Sequence, residues 1–312
     1  MRPSPVRTTT SVSAGSAELK ARLDALYDAF NMADSAEDPV QFLRGYDDPA
    51  DREIVAFVAA SLAFGRVASV KASIGRVLEV MGPRPAVFIR RFSVRQHAPA
   101  FQDFVHRWTR GADIVGLLLV LQHMVEGHGS VEGFFTQGLD PDATDIEAAL
   151  DSFSARACGV DVRAAYGGRK PPARAGVPFF FTRPSGGSGC KRLNLFLRWM
   201  VRRDEVDPGG WTGVKPAQLV IPLDTHVIRV GRCLRLTQYV SPGWKMAADI
   251  TNALRRFDPI DPVRYDFSLC HLGMMNACGF TRAQRDRACP LRGHCRPVVR
   301  TPRASLRPSA PR

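Results

Sequence analysis

Apolar residues recur at helical spacing along most of this chain. In "AELKARLDALYDAFN" they fall at Leu19, Leu23, Leu26 and Phe30, one stripe of a helix with a polar reverse face. "DREIVAFVAASLAFG" opens on Asp51, an acid suited to an N-cap, and closes on Gly65, a residue that can end a helix in the left-handed region. Further helical periods run over 67–80, 98–109, 112–126, 142–156, 190–203, 225–236, 244–257 and 261–276. Strand-like alternation is nearly absent, so the pattern predicts an all-α protein. The longest apolar run, "IVGLLLVLQHMV" at 114–125, is interrupted by Gln122 and His123. It falls short of the roughly 18 residues that span a bilayer, so it reads as a buried helix and no membrane partner is expected.

One stretch breaks the helical pattern. "GVDVRAAYGGRKPPARAGVPFFFTRPSGGSG", residues 159–189, is rich in Gly, Pro and Arg. Connections of this length are usually functional or flexible. Phe179, Phe180 and Phe181 inside it read as an anchor that pins the loop to the core, with a stacking platform for bases as the sharper alternative. No internal repeat is visible.

Composition sets the scale. With 312 residues, 45% of them hydrophobic, the chain can bury one large core or two small ones. Residues 1–17 hold no acid and no apolar segment of the kind a secretory signal needs, so they read as a disordered leader and the protein as cytoplasmic. Residues 297–312 read as a basic disordered tail. The net charge is +13, of which +6 remains for residues 18–295 once the arginines of the two ends are set aside. A basic body suits an anionic partner, nucleic acid being the commonest. A generally arginine-rich composition is the plainer reading of the same number.

Lysine is scarce: the chain has six against thirty-seven arginines. One of the six stands in "SGGSGCKRLNLFLRWMVRRD", directly after a Gly-Ser-Gly turn and at the head of a helical pattern. Glycines at 187 and 189 permit a tight turn. The first amides of a helix point outward and carry the positive end of its dipole, an arrangement that binds phosphate. The same field disfavours a second positive charge, which suits Lys191 to use as a neutral nucleophile. A glycine-rich loop before an ordinary helix remains the bland reading. A second segment, "LVIPLDTHVIRVGRCLRL", places Asp224 after Pro222 at the start of another helical pattern, where it can serve as an N-cap.

These two segments together resemble the helix-hairpin-helix DNA glycosylases, the endonuclease III and 8-oxoguanine glycosylase superfamily. In that superfamily a glycine hairpin is followed by a catalytic lysine and, further on, by an essential aspartate. Gly187, Gly189 and Lys191 match the hairpin, and Asp224, Thr225, His226 and Val227 match the second motif. The 33 residues between Lys191 and Asp224 exceed the endonuclease III spacing and suit the archaeal 8-oxoguanine branch better. The first helix of the hairpin is not visible in the sequence. Together, "GCKRLNLFLRWMVRRDEVDPGGW", "LVIPLDTHV" and "DPVRYDFSL" also resemble an uncharacterised bacterial family over most of 18–275.

The cysteines add a third element. Seven are present, crowded toward the C-terminus. In a chain with no expected export signal such crowding suggests ligation before disulfides. "CPLRGHC" resembles the Cys-x5-Cys pair of the endonuclease III cluster loop, and Cys278 resembles its first ligand. Asp286 stands where the remaining ligand belongs, so Cys270 is the substitute. The resemblance therefore implies a 4Fe-4S cluster on Cys270, Cys278, Cys289 and Cys295, provided that the helix over 261–276 ends near Gly273 and the chain turns back. A relic loop, or a zinc site completed by His294 or His271, are the alternatives.

The resemblance implies a helix-hairpin-helix glycosylase-like fold, two helical subdomains flanking a cleft, with residues 18–276 as the domain and 277–296 as the cysteine loop. It implies a monomeric base-excision glycosylase acting on a flipped damaged base, with lyase activity through Lys191. Asp224 would be the catalytic carboxylate, while Gly187, Ser188, Gly189 and Arg192 would hold the DNA backbone. The sequence does not separate DNA from RNA. A non-catalytic nucleic-acid binding protein on the same scaffold is the alternative. On the residues alone, Arg192, Arg198, Arg202 and Arg203 read as solvated helix charges, with phosphate contacts as the sharper alternative, and His226, Trp199 and Met200 read as structural.

Overall fold

The computed structural model describes residues 14–33, 38–172, 176–274 and 289–295. The chain is mostly helical, as its periodicity predicts. The first helix, α1 (Ala14–Phe30), begins within the segment read as a leader and buries Leu23 and Leu26. The second, α2 (Pro49–Leu62), starts two residues before the expected cap. Asp48 rather than Asp51 caps it, accepting a hydrogen bond from the Ala50 amide at 2.9 Å with Pro49 at the first position. Asp51 is instead buried, and accepts from the Ala86 amide at 2.7 Å and Arg84 Nε at 3.1 Å. It thereby ties α2 to α4 (Pro85–Arg90), which follows α3 (Val67–Met81) and precedes the single turn α5 (Val94–His97).

The helix expected over 98–109 does not form. Only Ala98–Phe101 winds into a 3-10 turn, and the chain then makes a small antiparallel hairpin of β1 (Val105–His106) and β2 (Thr109–Arg110). Val, Trp and Thr favour extended backbone. In that conformation the buried His106 meets Ser73 Oγ at 2.9 Å and the Phe64 carbonyl at 2.9 Å. Spacing alone does not register that pull from residues 33 and 42 positions earlier.

The central helix α6 (Gly111–His128) carries the longest apolar run and is buried through most of its circumference, as a core helix should be. It packs on α4, on α7 (Val131–Thr136) and on α9 (Val177–Phe180), while α7 also meets α8 (Glu147–Gly159). The long Gly/Pro/Arg segment folds back onto this core. Phe180 and Phe181 are buried, and Phe181 stacks on Phe57 at 5.5 Å between ring centroids. These two rings anchor the segment, whereas Phe179 stays half-buried.

The remaining helices are α10 (Lys191–Val201), α11 (Thr225–Cys233), α12 (Trp244–Arg255) and α13 (Asp266–Met274). α10 lies along α2, while α13 is sandwiched between α1 and α11. Among the described residues no helix is long and apolar enough to cross a membrane.

Candidate active site

A cavity of about 180 Å³ opens between the α2–α3 corner, α10, the start of α11, and α13. Lys191 and Asp224 both line it. So do Arg198, Asp266 and Cys270, and Asp38 lies on its rim beside Pro39. Ala63, Val67, Val70, Leu195, Phe267 and Met274 make the rest of the wall largely apolar.

Lys191 reaches the cavity because of the turn before it. Gly187 takes a left-handed conformation (φ +77°) that a side chain would strain, and Cys190 at the N-cap is left-handed as well (φ +46°). The Gly187 carbonyl accepts from the Trp244 amide at 3.4 Å, so the turn is clamped under the first turn of α12. Its amides are partly used: Gly187 N donates to the Pro184 carbonyl at 2.8 Å and Cys190 N to Ser188 Oγ at 3.1 Å. Before the turn stands the 3-10 turn Pro184–Gly186, not an α-helix. Lys191, Leu195 and Arg198 then recur at helical spacing on one face of α10. Among the described residues none makes a hydrogen bond or ion pair with the Lys191 ammonium.

Asp224 does two things at once. Its Oδ1 caps α11, accepting from the His226 amide at 2.8 Å and the Val227 amide at 2.7 Å. Its Oδ2 accepts from Cys270 Sγ at 3.0 Å. The contact depends on how closely α13 approaches α11. Gly273, one turn after Cys270, lies against His226, and a Cβ there would stand 2.6 Å from His226 Cβ. Burial pushes the Cys270 thiol up, and the neighbouring Asp224 and Asp266 carboxylates add to the effect. It therefore stays protonated and acts as a donor.

A buried ionic cluster forms the floor. Arg198 donates to Asp266 Oδ2 at 2.5 Å through one nitrogen and to Asp207 Oδ1 at 3.1 Å through Nε. Arg202 also engages Asp207, and reaches Asp261 at 2.9 Å and Asp204 at 2.7 Å. Arg198, Arg202, Asp207 and Asp266 are all buried. The expectation of solvated helix charges thus fails for Arg198 and Arg202. Four aspartates from three later segments neutralise them, a grouping that the spacing of the arginines alone does not announce. Asp266 is pushed up to about 7, because burial removes it from water and Asp224 repels its charge, against the pull of Arg198.

Arg192, expected on the DNA side, folds over the Phe179 ring at 3.6 Å. It donates to the Ser61 carbonyl at 3.3 Å and to the Phe179 carbonyl. Burial lowers it to about 10.

The described residues do not assemble a metal ligand set: among them no three His, Cys, Asp or Glu side chains could hold an ion together. α13 passes Gly273 and continues to Met274, and Cys270 faces the cavity. Residues 289–295 pack on α1, where Arg22 donates to the Pro290 carbonyl at 3.0 Å and His294 pairs with Glu18 at 3.4 Å. Cys278 lies outside the described residues.

Sequence reasoning brought out Lys191 and Asp224 and gave no role here to Asp266 or Arg198. A signal existed for Asp266: it precedes Cys270 by four positions, so both fall on one face of the helix expected there. Residues 38–275 match the family described as "Protein of unknown function (DUF2400)", and the chain belongs to that family. Comparison with curated proteins and with solved structures finds no match.

Proposed function

We propose that this member of the DUF2400 family is a DNA base-excision glycosylase with lyase activity, working on a nucleotide turned out of the helix into the cavity. What supports the reading is that Lys191 and Asp224, 33 residues apart in sequence, line the same cavity. Lys191 carries the amine, free of partners among the described residues, and Asp224 is a carboxylate held rigidly by two amides and a thiol. The extruded nucleotide exposes its N-glycosidic bond. The Lys191 amine attacks C1′, and the base departs with the electron pair of the broken bond. Asp224 takes the proton that the attacking nitrogen sheds. Asp224 then gives that proton to O4′ as the C1′–O4′ bond breaks, which opens the sugar ring and leaves a Schiff base on Lys191. Removal of a C2′ proton then expels the 3′-phosphate and cuts the strand. The largely apolar wall suits a base, and Asp266 is a second carboxyl group on that wall, pushed up by burial.

Borohydride trapping tests this. Wild-type protein is incubated with a panel of damaged-base duplexes and with an abasic duplex, then reduced. A covalent adduct is expected, absent in Lys191→Gln, with base release strongly reduced in Asp224→Asn. No adduct and no base release on any duplex would overturn the reading. DNA binding that neither substitution alters would favour a binding protein without catalysis.

A further inference from the structure

The hairpin that replaces the expected helix carries an exposed tryptophan at its tip. Trp108 is 44% exposed, while Trp199, Trp211 and Trp244 are all buried. The exposed ring is not loose. It stacks on Phe64 at 5.1 Å between centroids with planes 27° apart, and meets Phe179 edge-on at 5.2 Å. Beneath it, His106 joins Ser73 to the Phe64 carbonyl. The Phe64 and Phe179 rings support the indole, and the residue keeps close to half of its surface open to solvent.

The place of this tip relative to the cavity follows from its neighbours. Phe64 lies between Ala63 and Gly65, and both of these line the cavity. The Arg107 side chain lies along Gly65, where a Cβ would stand 3.3 Å from Arg107 Cδ. Arg107 also sits over the Trp108 ring at 5.2 Å, with its own backbone in the left-handed region (φ +56°). A non-glycine residue held there costs energy, and such residues cluster at functional positions. The surroundings are basic: segments 64–71 and 105–110 carry Arg66, Lys71, Arg107 and Arg110 and no acidic residue.

The geometry points to Trp108 and Arg107 as a nucleic-acid contact at the cavity mouth: Trp108 stacks on an unpaired base and Arg107 neutralises the adjoining phosphate. The inference rests on the reading of the cavity as a nucleotide site and adds the element that grips the strand outside it. It also relocates the stacking surface. The sequence offered the Phe179–Phe181 triplet, but Phe180 and Phe181 are core and Phe179 serves as the support for Trp108. Every base has a π-face, so the contact is tolerant of sequence. The positive segments supply the backbone attraction that stacking lacks.

The test uses the full chain, a single-stranded oligonucleotide and an abasic duplex. Trp108 alone among the four tryptophans is open to solvent, so a change in tryptophan emission on binding reports on that ring. Emission is expected to be quenched by either DNA and to stay unchanged on binding in Trp108→Phe. Trp108→Ala is expected to weaken binding about tenfold, the scale of one lost base stack. Trp108→Phe should retain most of the affinity, which separates stacking from damage to the hairpin. Arg107→Gly suits the left-handed backbone. It should melt no lower than wild type, yet bind more weakly and with a salt slope reduced by about one. Binding or covalent trapping without emission change, with Trp108→Ala as tight as wild type, would overturn this contact and leave the catalytic reading standing. Failure to bind any nucleic acid would overturn both.

Discussion

Cys270 Sγ donates a hydrogen bond to Asp224 Oδ2 at 3.0 Å, joining the middle of α13 to the first turn of α11 inside the cavity. Among the described residues the thiol is the one side-chain donor to the cavity-facing oxygen of the carboxylate, the other oxygen being held by backbone amides. Serine keeps a donor at this position and alanine removes it. Cys270→Ser is expected to keep most of the abasic-DNA trapping rate. Cys270→Ala should lose about tenfold, the equivalent of one hydrogen bond of about 1.4 kcal/mol. Equal trapping rates for wild type and Cys270→Ala would show that Asp224 needs no such support.

The Arg198–Asp207–Arg202 cluster makes a separate prediction about stability. Asp207 is buried and bridges two buried guanidinium groups. Removing the shared carboxylate strips both buried guanidinium groups of an acceptor that water cannot replace, at a cost of about 3–5 kcal/mol. Asp207→Ala should therefore lower the urea midpoint severely, whereas Asp161→Ala, at an exposed pair with Arg163, should leave it nearly unchanged. Similar midpoints for the two variants would contradict the assigned network.

Helices and their apolar stripes were legible in the sequence because they depend on neighbours three and four positions away. α3 matches its expected span to within one residue, and Leu23 and Leu26 are buried as the stripe of α1 requires. The hairpin at 105–110 was not legible, because His106 is drawn into extended backbone by Ser73 and Phe64, which periodicity does not see. The same limit applies to the site. Lys191 and Asp224 stood out through their local contexts, a glycine turn and a Pro-x-Asp helix start. Asp266 and Arg198 acquire their place only when α10 and α13 pack together, and Cys270 acquires a donor's role from the carboxylates around it rather than from its spacing to other cysteines.

Gly273 tests whether close packing of α13 on α11 matters more than helix propensity. Replacing a glycine within a helix by alanine ordinarily stabilises it by roughly 1 kcal/mol. Here the added Cβ would stand 2.6 Å from His226 Cβ. Overpacking of that kind costs about 1–3 kcal/mol. Gly273→Ala is expected to lower the melting temperature and, by pushing Cys270 away from Asp224, to slow trapping as well. A rise in melting temperature with unchanged trapping would mean that the two helices separate freely.

Asp266 should make stability depend on pH in a direction opposite to that of an ordinary ion-paired carboxylate. In the unfolded chain an aspartate titrates near pH 4. In the fold, desolvation and the repulsion of Asp224 outweigh the attraction of Arg198 and push Asp266 up to about 7. The folded state therefore holds its proton more tightly than the unfolded state does. By linkage, the stability from this group is fully present below about pH 4 and is lost as pH rises through about 7. Asn keeps the shape and an acceptor for Arg198 but cannot titrate, so Asp266→Asn should lack this component. The check is the melting temperature of wild type and Asp266→Asn measured from pH 5 to pH 8.5. The difference between the two should change from pH 5 to about pH 7, with wild type losing ground relative to the variant, and level off above that. A constant difference would mean that Asp266 remains ionised throughout, held by Arg198 as an ordinary buried ion pair.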